Sequence, residues 1–439
     1  MVCFPARRSR FVQAWAAIVL CATSSVTLAG STSNTFNLRQ LIELAQRDNK
    51  DLQAARYAVD IGRARLLQAG LRPNPTLDLS TRSDFLFNNE GEYSHAVSIS
   101  QAFPIAGRIL RQKTVARVDI ALAEAEVAEA ERRLAGDIAA DAYRVRVMDR
   151  QIESKAALIA IQTQLASTTR ERFKAAEVSE LDVNTVQLDR QRLIQERALL
   201  ESQRESLQMA LNTRLGRPVT DTLVIDEPIP ALASLPSLPE LQDTAIKLRP
   251  DLHSALLAVD RADAEKALAK AVRWEDWRVG LELAQDKQVI NGAPPQGNDR
   301  TIGISVSIPL PLFNKSQGLL AEADATHGQA VARVDALRLS IAGEIASAYA
   351  EAMRLQTALA HYDTGMLPVS ASNVRLAQQG YRQGLVPVFD VVQAQRQQAD
   401  LNVAYLATLD QFLQALVRLH TAVGDFVPAA SVEQRGTQP

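Results

Sequence analysis

The sequence predicts a mainly α-helical protein with four β-strands per chain, built as two tandem repeats of one unit. The chain has 439 residues but only 19 glycines and 18 prolines, and aromatic residues make up only 5% of it. Long proline-free stretches carry apolar residues at heptad spacing, which is typical of coiled-coil hairpins. A short pair of alternating segments interrupts the helical pattern once in each half, which indicates two β-hairpins.

Composition and charge exclude several classes of protein. A formal net charge of -2 excludes a protein that binds nucleic acid through a basic surface. Apolar residues make up 47% of the chain, which excludes a disordered polyelectrolyte. The two cysteines, Cys3 and Cys21, both precede residue 30. Leu20 stands before Cys21, where a lipoprotein signal needs a small residue, so we do not expect lipid attachment.

Residues 1–29 have the features of a cleaved export signal. A basic start that includes Arg7 and Arg8 precedes a mostly apolar run over residues 11–28. Small residues at Thr27 and Ala29 favour cleavage after Ala29. The strongly apolar part of the run is too short to span a membrane, and no later segment reaches 18 unbroken apolar residues. We therefore expect an exported chain without cysteine and without a transmembrane helix.

The first repeat, residues 30–217, is predicted to contain a helix, a β-hairpin and a long helical hairpin. Asn37 can cap the first helix, and Gln40 stands at the capping-box position. Pro73 and Pro75 end that helix because proline blocks its continuation. A turn at residues 88–91 joins the two strands. The expected elements are a helix over Asn37–Leu71, strands over Thr76–Phe87 and Tyr93–Phe103, and helices over Arg108–Phe173 and Leu181–Leu215.

The second repeat, residues 239–427, is predicted to have the same order of elements. A proline-rich extended connector, residues 218–238, joins the two repeats, and a short polar tail covers residues 428–439. We expect a break or kink at Pro368. The expected elements are a helix over Leu238–Val272, strands over Trp277–Asp286 and Thr301–Ile308, and helices over Ser316–Met366 and Val388–Val423.

The two repeats match each other in register, which indicates a duplication. In the return helices the offset is constant at 208 residues, and near the strand ends it is about 207. The matched pairs include Asp182 and Asp390, Val183 and Val391, Gln187 and Gln395, and Gly216 and Gly424.

With only four strands per chain, the edge strands of the predicted sheet need partners. Ten-residue strands suit a bilayer when tilted, but about eight strands are the smallest number that closes a membrane barrel. A soluble hairpin is the alternative, although two-stranded hairpins are marginally stable alone. In a membrane, strand edges cannot face lipid. Copies of the chain would then have to pool their strands, eight in a dimer or twelve in a trimer, and the long helices would continue the barrel as a tube.

Several segments resemble the TolC-like outer-membrane efflux proteins, and the resemblance covers essentially the whole chain after the signal. These segments are Leu71–Pro75, Phe103–Arg108, Ile308–Lys315, Tyr381–Leu385 and Asp390–Val391. Among subfamilies the chain is most similar to the outer-membrane components of cobalt–zinc–cadmium and nickel resistance pumps. The resemblance implies a homotrimer with a twelve-stranded barrel in the bacterial outer membrane and an α-helical tunnel in the periplasm.

The same resemblance implies a function and partners. The protein would be a passive exit duct for divalent heavy-metal cations, with no cofactor and no enzymatic activity. Its partners would be a periplasmic adaptor (membrane fusion) protein, a proton-driven inner-membrane pump of the resistance-nodulation-division type and outer-membrane lipid. Export of drugs or proteins by the same kind of duct stays open. A periplasmic scaffold or adaptor is the alternative from another class, although adaptors have one helical hairpin flanked by β-rich domains.

The resemblance also places candidate functional residues at the two helix-to-helix tips. The implied pore constriction comprises Asp390, Gln393 and Tyr381, and Gln393 stands where the family often has a second acid. The implied adaptor-docking residues are Gly384 and Leu385 in the second tip and Ala176, Glu177 and Asp182 in the first. Ala176 stands where the family has glycine. The alternative is two ordinary interhelical turns, in which Asp182 and Asp390 simply offset the helix dipole.

Histidine and tryptophan side chains are further candidates for function. None of the five histidines lies four residues from another, so no high-affinity metal site is expected. His420 falls on a heptad seam and is expected to be a packed polar residue. Trp274 and Trp277 flank the start of a predicted strand, where they would serve either as membrane-interface anchors or in simple packing.

Overall fold

The computed structural model describes residues 35–86, 90–230, 234–290, 292–294 and 297–425. The predicted export signal, the polar tail and residues 88 and 89 of the first strand turn lie outside these ranges. The elements are β1 Thr35–Phe36, α1 Leu38–Asp48, α2 Lys50–Ala69, β2 Thr76–Ser83, β3 Tyr93–Phe103, α3 Arg108–Lys174, α4 Glu180–Arg214, β4 Val224–Ile225, α5 Leu238–Leu248, α6 Pro250–Val272, β5 Trp277–Lys287, β6 Asp299–Ser307, α7 Gln317–His361, a π-helical turn Tyr362–Met366, α8 Leu367–Arg382 and α9 Val388–Val423.

The architecture is mainly α, with one antiparallel sheet to which each repeat contributes a hairpin. The strand order is β2-β3-β5-β6, so the two hairpins meet at β3 and β5. Next to the sheet, α2 contacts α3, α3 contacts α6 and α6 contacts α7, which gives a single row of four helices. The helix α3 has 67 residues and therefore extends for about 100 Å away from the sheet. The predicted fold class is confirmed.

Two predicted helices are each divided in the structure. The helix expected over Asn37–Leu71 breaks at Asn49, and the helix expected over Leu238–Val272 breaks at Arg249, both of which have extended backbone. Asn49 caps α2 by accepting the N–H of Leu52 at 2.8 Å. Arg249 precedes a proline, which disfavours helical geometry in the residue before it. The prediction of continuous helices was wrong because the cap at Asn49 and the proline after Arg249 outweigh the apolar periodicity.

The two breaks perform the same task in the two repeats. The Asn49 side chain donates to the carbonyl of Arg214 at 2.8 Å, and the Arg249 side chain donates to the carbonyl of Ala422 at 2.9 Å. These carbonyls end the two return helices and are 208 residues apart. In the first repeat, a Cβ added at Gly216 would lie 2.2 Å from the Asp48 carbonyl oxygen, so only glycine fits there. The duplication therefore extends to the hydrogen bonds that end the helices.

The second repeat departs from the first by a π-helical turn. The helix expected to end at Met366 continues through this turn into α8, and Pro368 lies in the first turn of α8. Proline has no N–H and interrupts the regular ladder of backbone hydrogen bonds. A π-helical turn is one way in which a helix absorbs such an interruption. The expected irregularity at Pro368 is present.

The connector is anchored rather than merely extended. Its residues Val224–Ile225 pair in parallel with Thr35–Phe36 in a two-stranded sheet that the sequence did not predict. The Glu227 carboxylate accepts the N–H of Leu38 at 2.8 Å, and the Glu227 carbonyl accepts from Arg146 at 3.1 Å. These contacts hold the start of the described chain beside the main core, whose fully buried side chains include Leu41, Ile138, Leu211 and Leu413.

The four-stranded sheet has one apolar and one polar face. One register row joins Leu77, Ile99, Leu281 and Ile304, and the row beside it joins Asp78, Ser98, Glu282 and Gly303. The exposed apolar face carries Leu77, Leu79, Val97, Ile99, Val279, Leu281, Leu283, Ile302, Ile304 and Val306. No described part of the chain covers this face. Among the described strands, β2 and β6 have no partner on their outer edges.

Aromatic side chains mark the helix-proximal end of the apolar face. Phe103 and Trp277 are register partners there, and both are more than 40% exposed. Tyr93 begins β3 at the opposite end. None of the described helices is both long and apolar enough to cross a membrane.

Candidate functional site at the helical tips

The two helical hairpins end in tips of the same conformation. Ala176 has φ 58° and Gly384 has φ 75°, both in the left-handed region. The N–H of Glu177 bonds to the Arg172 carbonyl at 2.9 Å, and the N–H of Leu385 bonds to the Gly380 carbonyl at 2.9 Å. This hydrogen bond ends a helix on a left-handed residue, which is usually glycine. The first tip therefore keeps the glycine-type turn although alanine occupies its key position.

Replacing Ala176 with glycine is expected to stabilise the protein by about 1 kcal/mol, because glycine adopts a positive φ without the penalty that a Cβ brings. The reverse change, Gly384→Ala, is expected to destabilise by a similar amount. A Cβ at Gly384 would meet no atom within 4 Å, so only backbone conformation is tested. Thermal unfolding of the detergent-solubilised variants measures both effects. Shifts of the same sign in the two variants would contradict the assigned turn geometry.

Charged residues of the first tip are tied into local structure. Ser179 caps α4, and the Asp182 carboxylate accepts the Ser179 N–H at 3.0 Å while the Asp182 N–H bonds to the Ser179 hydroxyl at 3.2 Å. This is a complete capping box. Glu177 pairs with Arg172 at 2.9 Å, and this hydrogen bond raises the pKa of the Arg172 guanidinium. Both carboxylates thus have structural partners.

The equivalent acid of the second tip has no such partner. Pro387 occupies the capping position of α9 and offers neither an N–H nor a hydroxyl, so no capping box can form. The Asp390 carboxylate is exposed and makes no hydrogen bond or ion pair with the residues that the structure describes. Gln393 is also exposed, one turn further along the same side of the helix. Asp390 and Asp182 therefore differ in their partners, and Pro387 in place of Ser179 at the capping position is the sequence signal for this difference.

The second tip also presents exposed apolar side chains. Leu385 is 75% exposed and Phe389 is 59% exposed. The residues at the equivalent positions of the first tip are Glu177 and Leu181. The first tip is therefore more polar than the second, although their backbones match.

Tyr381 lies between the tips rather than beside Asp390 and Gln393. Its side chain is buried, and its hydroxyl lies 3.2 Å from the Thr169 hydroxyl. The Arg172 guanidinium lies 4.7 Å from the centre of the Tyr381 ring and donates to the Tyr381 carbonyl at 3.2 Å. The first hairpin is thereby joined to the second within one chain, through contacts of Thr169 and Arg172 that the sequence analysis did not identify.

A buried polar network links the hairpins further from the tips. Gln162 of α3 donates to Asp189 of α4 at 3.1 Å and to Gln395 of α9 at 2.9 Å, and Arg396 pairs with Asp189 at 2.7 Å. Gln162 Oε1 and Gln395 Nε2 are buried without a hydrogen-bond partner. Heptad position is the signal that could have revealed the network. Asp189, for example, falls on the seam between the buried residues Val186 and Leu193.

The described residues hold no group of three or more His, Cys, Asp or Glu side chains that could bind a metal ion. His420 packs in α9, where burial lowers the pKa of its imidazole because the charged form is disfavoured.

Comparison with known proteins shows which family and which solved structures the chain is similar to. Residues 241–425 match the model of the family described as outer membrane efflux protein. The cobalt-zinc-cadmium resistance protein CzcC of Cupriavidus metallidurans is 23% identical over 394 residues, which cover 89% of this chain and 90% of that protein. A crystal structure of CusC superposes with a TM-score of 0.71 at 17% identity, covering 88% of this chain and 92% of the other. The outer-membrane channel OprN gives a TM-score of 0.69 at 18% identity, covering 88% and 90%.

These findings confirm the resemblance on which the sequence predictions drew. They also confirm the predicted location, the outer membrane with the helical part in the periplasm. The family match over residues 241–425, together with the fold shared along the described chain, shows that the protein is similar to outer-membrane efflux proteins, among them a metal-resistance protein.

Proposed function

We propose that the protein is the exit channel of a tripartite, proton-driven efflux system and that three copies close its sheet into a twelve-stranded barrel. The observation that carries this proposal is the sheet itself, with one exposed apolar face, one polar face and two unpaired edges among the described strands. Unpaired backbone groups cannot face lipid, so β2 of one copy has to pair with β6 of another.

The dimensions of the sheet fit a bilayer. The strand β3 has 11 residues and is about 36 Å long at ~3.3 Å per residue. At the tilt of about 40° found in membrane barrels, the strand rises by about 28 Å, close to the apolar height of ~25 Å. Phe103 and Trp277 at one end and Tyr93 at the other then fall where interfacial aromatic girdles form. Anchoring is thus favoured over simple packing for Trp277.

The row of four helices supports a tunnel that continues the barrel. Because α2, α3, α6 and α7 contact each other in sequence beside the four strands, the wall has the same number of elements in its sheet and helical parts. Three copies would give twelve helices around one bore. The duct would catalyse no reaction, and its proposed partners are a periplasmic adaptor protein and an inner-membrane pump of the resistance-nodulation-division type.

The tips are proposed to form both the constriction and the adaptor contact. Asp390 and Gln393 line the bore in this proposal, supported by the exposed and unpartnered Asp390 carboxylate. Tyr381 holds the closed tip through its buried contacts with Thr169 and Arg172. The proposed docking residues are Gly384 and Leu385 of the second tip and Ala176, Glu177 and Asp182 of the first, where the exposed Leu385 offers apolar contact area.

Replacing Asp390 with asparagine is expected to lower the cation-over-anion permeability ratio several-fold, because three carboxylates in a narrow bore favour cations. Asp182→Asn serves as the control. It changes the same charge but breaks a capping box, so it is expected to destabilise by about 1 kcal/mol and to leave selectivity unchanged. Reversal potentials in planar bilayers under a salt gradient measure the ratio. An unchanged ratio in the Asp390 variant would remove this residue from the pore.

Divalent heavy-metal cations such as cobalt, nickel, zinc and cadmium are the proposed cargo, supported by the 23% identity to a cobalt-zinc-cadmium resistance protein. The described residues hold no metal-binding cluster, which is compatible with a duct, because a conduit should release its cargo readily. Gene deletion followed by growth on graded concentrations of each metal, beside a drug panel, tests the cargo. Sensitivity to divalent metals alone, reversed by the intact gene, is the expected result. Sensitivity to drugs with unchanged metal tolerance would refute the metal assignment and keep the channel.

A further inference from the structure

A cation-lined pocket lies where the helices meet the sheet. Its volume is about 700 Å³, and its lining includes Arg111 of α3, Asp263, Lys266 and Lys270 of α6, and Trp274. The remaining lining residues are alanines, whose short side chains leave the charged groups accessible in the pocket. The proposed function and the tip residues do not use this pocket.

The charges in the pocket are only partly neutralised. Lys266 pairs with Asp324 at 2.6 Å, and Asp263 lies 3.5 Å from His327. Arg111 and Lys270 are exposed, and their side chains make no hydrogen bond or ion pair with the residues that the structure describes. The hydrogen bond from Lys266 lowers the pKa of the Asp324 carboxyl, and Lys270 lies close enough to help lower that pKa, but it forms no ion pair with Asp324. Both cationic side chains, Arg111 and Lys270, can therefore still contact an anion.

The surroundings of the pocket point to a lipid rather than to a free anion. Trp274 lies three residues before Trp277, which sits at the end of the apolar sheet face. Trp274 is 48% exposed, and the Arg273 guanidinium lies 5.7 Å from the centre of its ring. A tryptophan beside basic residues just beyond an apolar band is typical of a membrane–water interface. A lipid held there could place its acyl chains along the apolar strands.

We propose that this pocket binds the headgroup phosphate of an anionic phospholipid in the periplasmic leaflet, with Arg111 and Lys270 as the charge-recognising residues. The inference rests on the proposed function, because it requires the sheet to be in the bilayer. Lys266 supports the site electrostatically while it remains paired with Asp324.

Tryptophan fluorescence tests the proposal directly. The chain has three tryptophans, so Trp15→Phe combined with Trp277→Phe leaves Trp274 as the only reporter in the full chain. The protein is reconstituted in two kinds of phosphatidylcholine bilayer. One contains a small fraction of phosphatidylglycerol with brominated acyl chains, and the other contains the same fraction of phosphatidylcholine with brominated acyl chains. Brominated phosphatidylglycerol is expected to quench Trp274 at a mole fraction at least five-fold lower, since each basic residue near an anionic surface contributes roughly that factor.

Two charge-matched double variants decide the role of the cations. Arg111→Gln with Lys270→Gln is expected to abolish the preference for phosphatidylglycerol. Lys247→Gln with Arg354→Gln removes the same charge from two exposed side chains away from the pocket and is expected to keep the preference. Loss of the preference in both double variants, or in neither, would overturn the assignment to Arg111 and Lys270.

The remaining outcomes separate this inference from the proposed function. Equal quenching by both brominated lipids would show that the pocket does not recognise charge. Loss of the preference on adding millimolar inorganic phosphate would assign the pocket to free anions and overturn the lipid proposal. Absence of quenching by either lipid, in this protein and in a variant that retains only Trp277, would show that the sheet is not in the bilayer and would refute the proposed function itself.

Discussion

Replacing Ile304 with arginine is expected to prevent assembly into the outer membrane, whereas arginine at the adjacent Ser305 is expected to leave assembly intact. Ile304 lies near the middle of β6 on the apolar face and is 79% exposed in the single chain. An arginine facing lipid at the middle of a barrel costs about 2–4 kcal/mol. Three copies would multiply this to about 6–12 kcal/mol, comparable to the whole stability of a typical domain.

The control is matched in depth and charge. Ser305 neighbours Ile304 on the same strand but points to the polar face, because successive side chains alternate across a sheet. It pairs with Gly280 and is exposed on that face. Outer-membrane fractionation, followed by cross-linking to count copies per complex, measures assembly. Equal amounts of both variants in the membrane as trimers would refute the assignment of the two faces.

The strands and long helices could be predicted because their patterns repeat over many residues. Strand β3 has the predicted bounds, and so does α9, since proline, glycine and alternation fix the ends of both locally. The alignment of the two repeats could also be predicted from the sequence. Asp182 and Asp390, which are 208 residues apart, occupy equivalent positions at the two tips in the structure. These features depend on short-range rules that a single sequence contains.

Features that depend on contacts between distant residues could not be predicted in the same way. The break at Asn49 is stabilised by a carbonyl at Arg214, 165 positions away. The Thr169–Tyr381 contact joins residues separated by 212 positions. In the tips, Ser179 and Pro387 already distinguish the two capping positions in the sequence, but only the structure shows that the Asp390 carboxylate has no partner among the described residues.

Replacing Arg249 with alanine is expected to be among the most damaging changes in the helical part, lowering the free energy of unfolding by about 3–5 kcal/mol. The side chain is 4% exposed and contacts Asp251 at 2.5 Å and Glu344 at 2.8 Å. It also donates to the Ala422 carbonyl at the end of α9. Removing it would leave a mostly buried carboxylate at Asp251 and an unsatisfied carbonyl, and both are more costly than losing an exposed ion pair.

Two control variants allow the loss of stability at Arg249 to be compared with smaller losses. Asn49→Ala removes the equivalent contact of the first repeat without leaving a charge, and it is expected to cost about 1–2 kcal/mol. Arg39→Ala removes a solvent-exposed pair with Glu43 and is expected to cost less than about 0.5 kcal/mol. Chemical unfolding of the three variants, monitored by helical circular dichroism, measures the order. An Arg249 variant as stable as the Arg39 variant would show that the buried pair does not hold the helix ends together.

At acidic pH, the difference in free energy of unfolding between the Arg249→Ala variant and the original protein is expected to become smaller. Burial by itself raises the pKa of the Asp251 carboxyl, but the Arg249 guanidinium outweighs burial and lowers that pKa overall. A lowered pKa in the folded state contributes stability above the ordinary aspartate pKa of about 3.9 and loses it as the pH falls through the folded value. Alanine at position 249 removes this contribution, so the stability gap should be full near pH 7 and smaller below about pH 3. A gap that does not change with pH would mean that packing of the arginine side chain, rather than its charge, stabilises this junction.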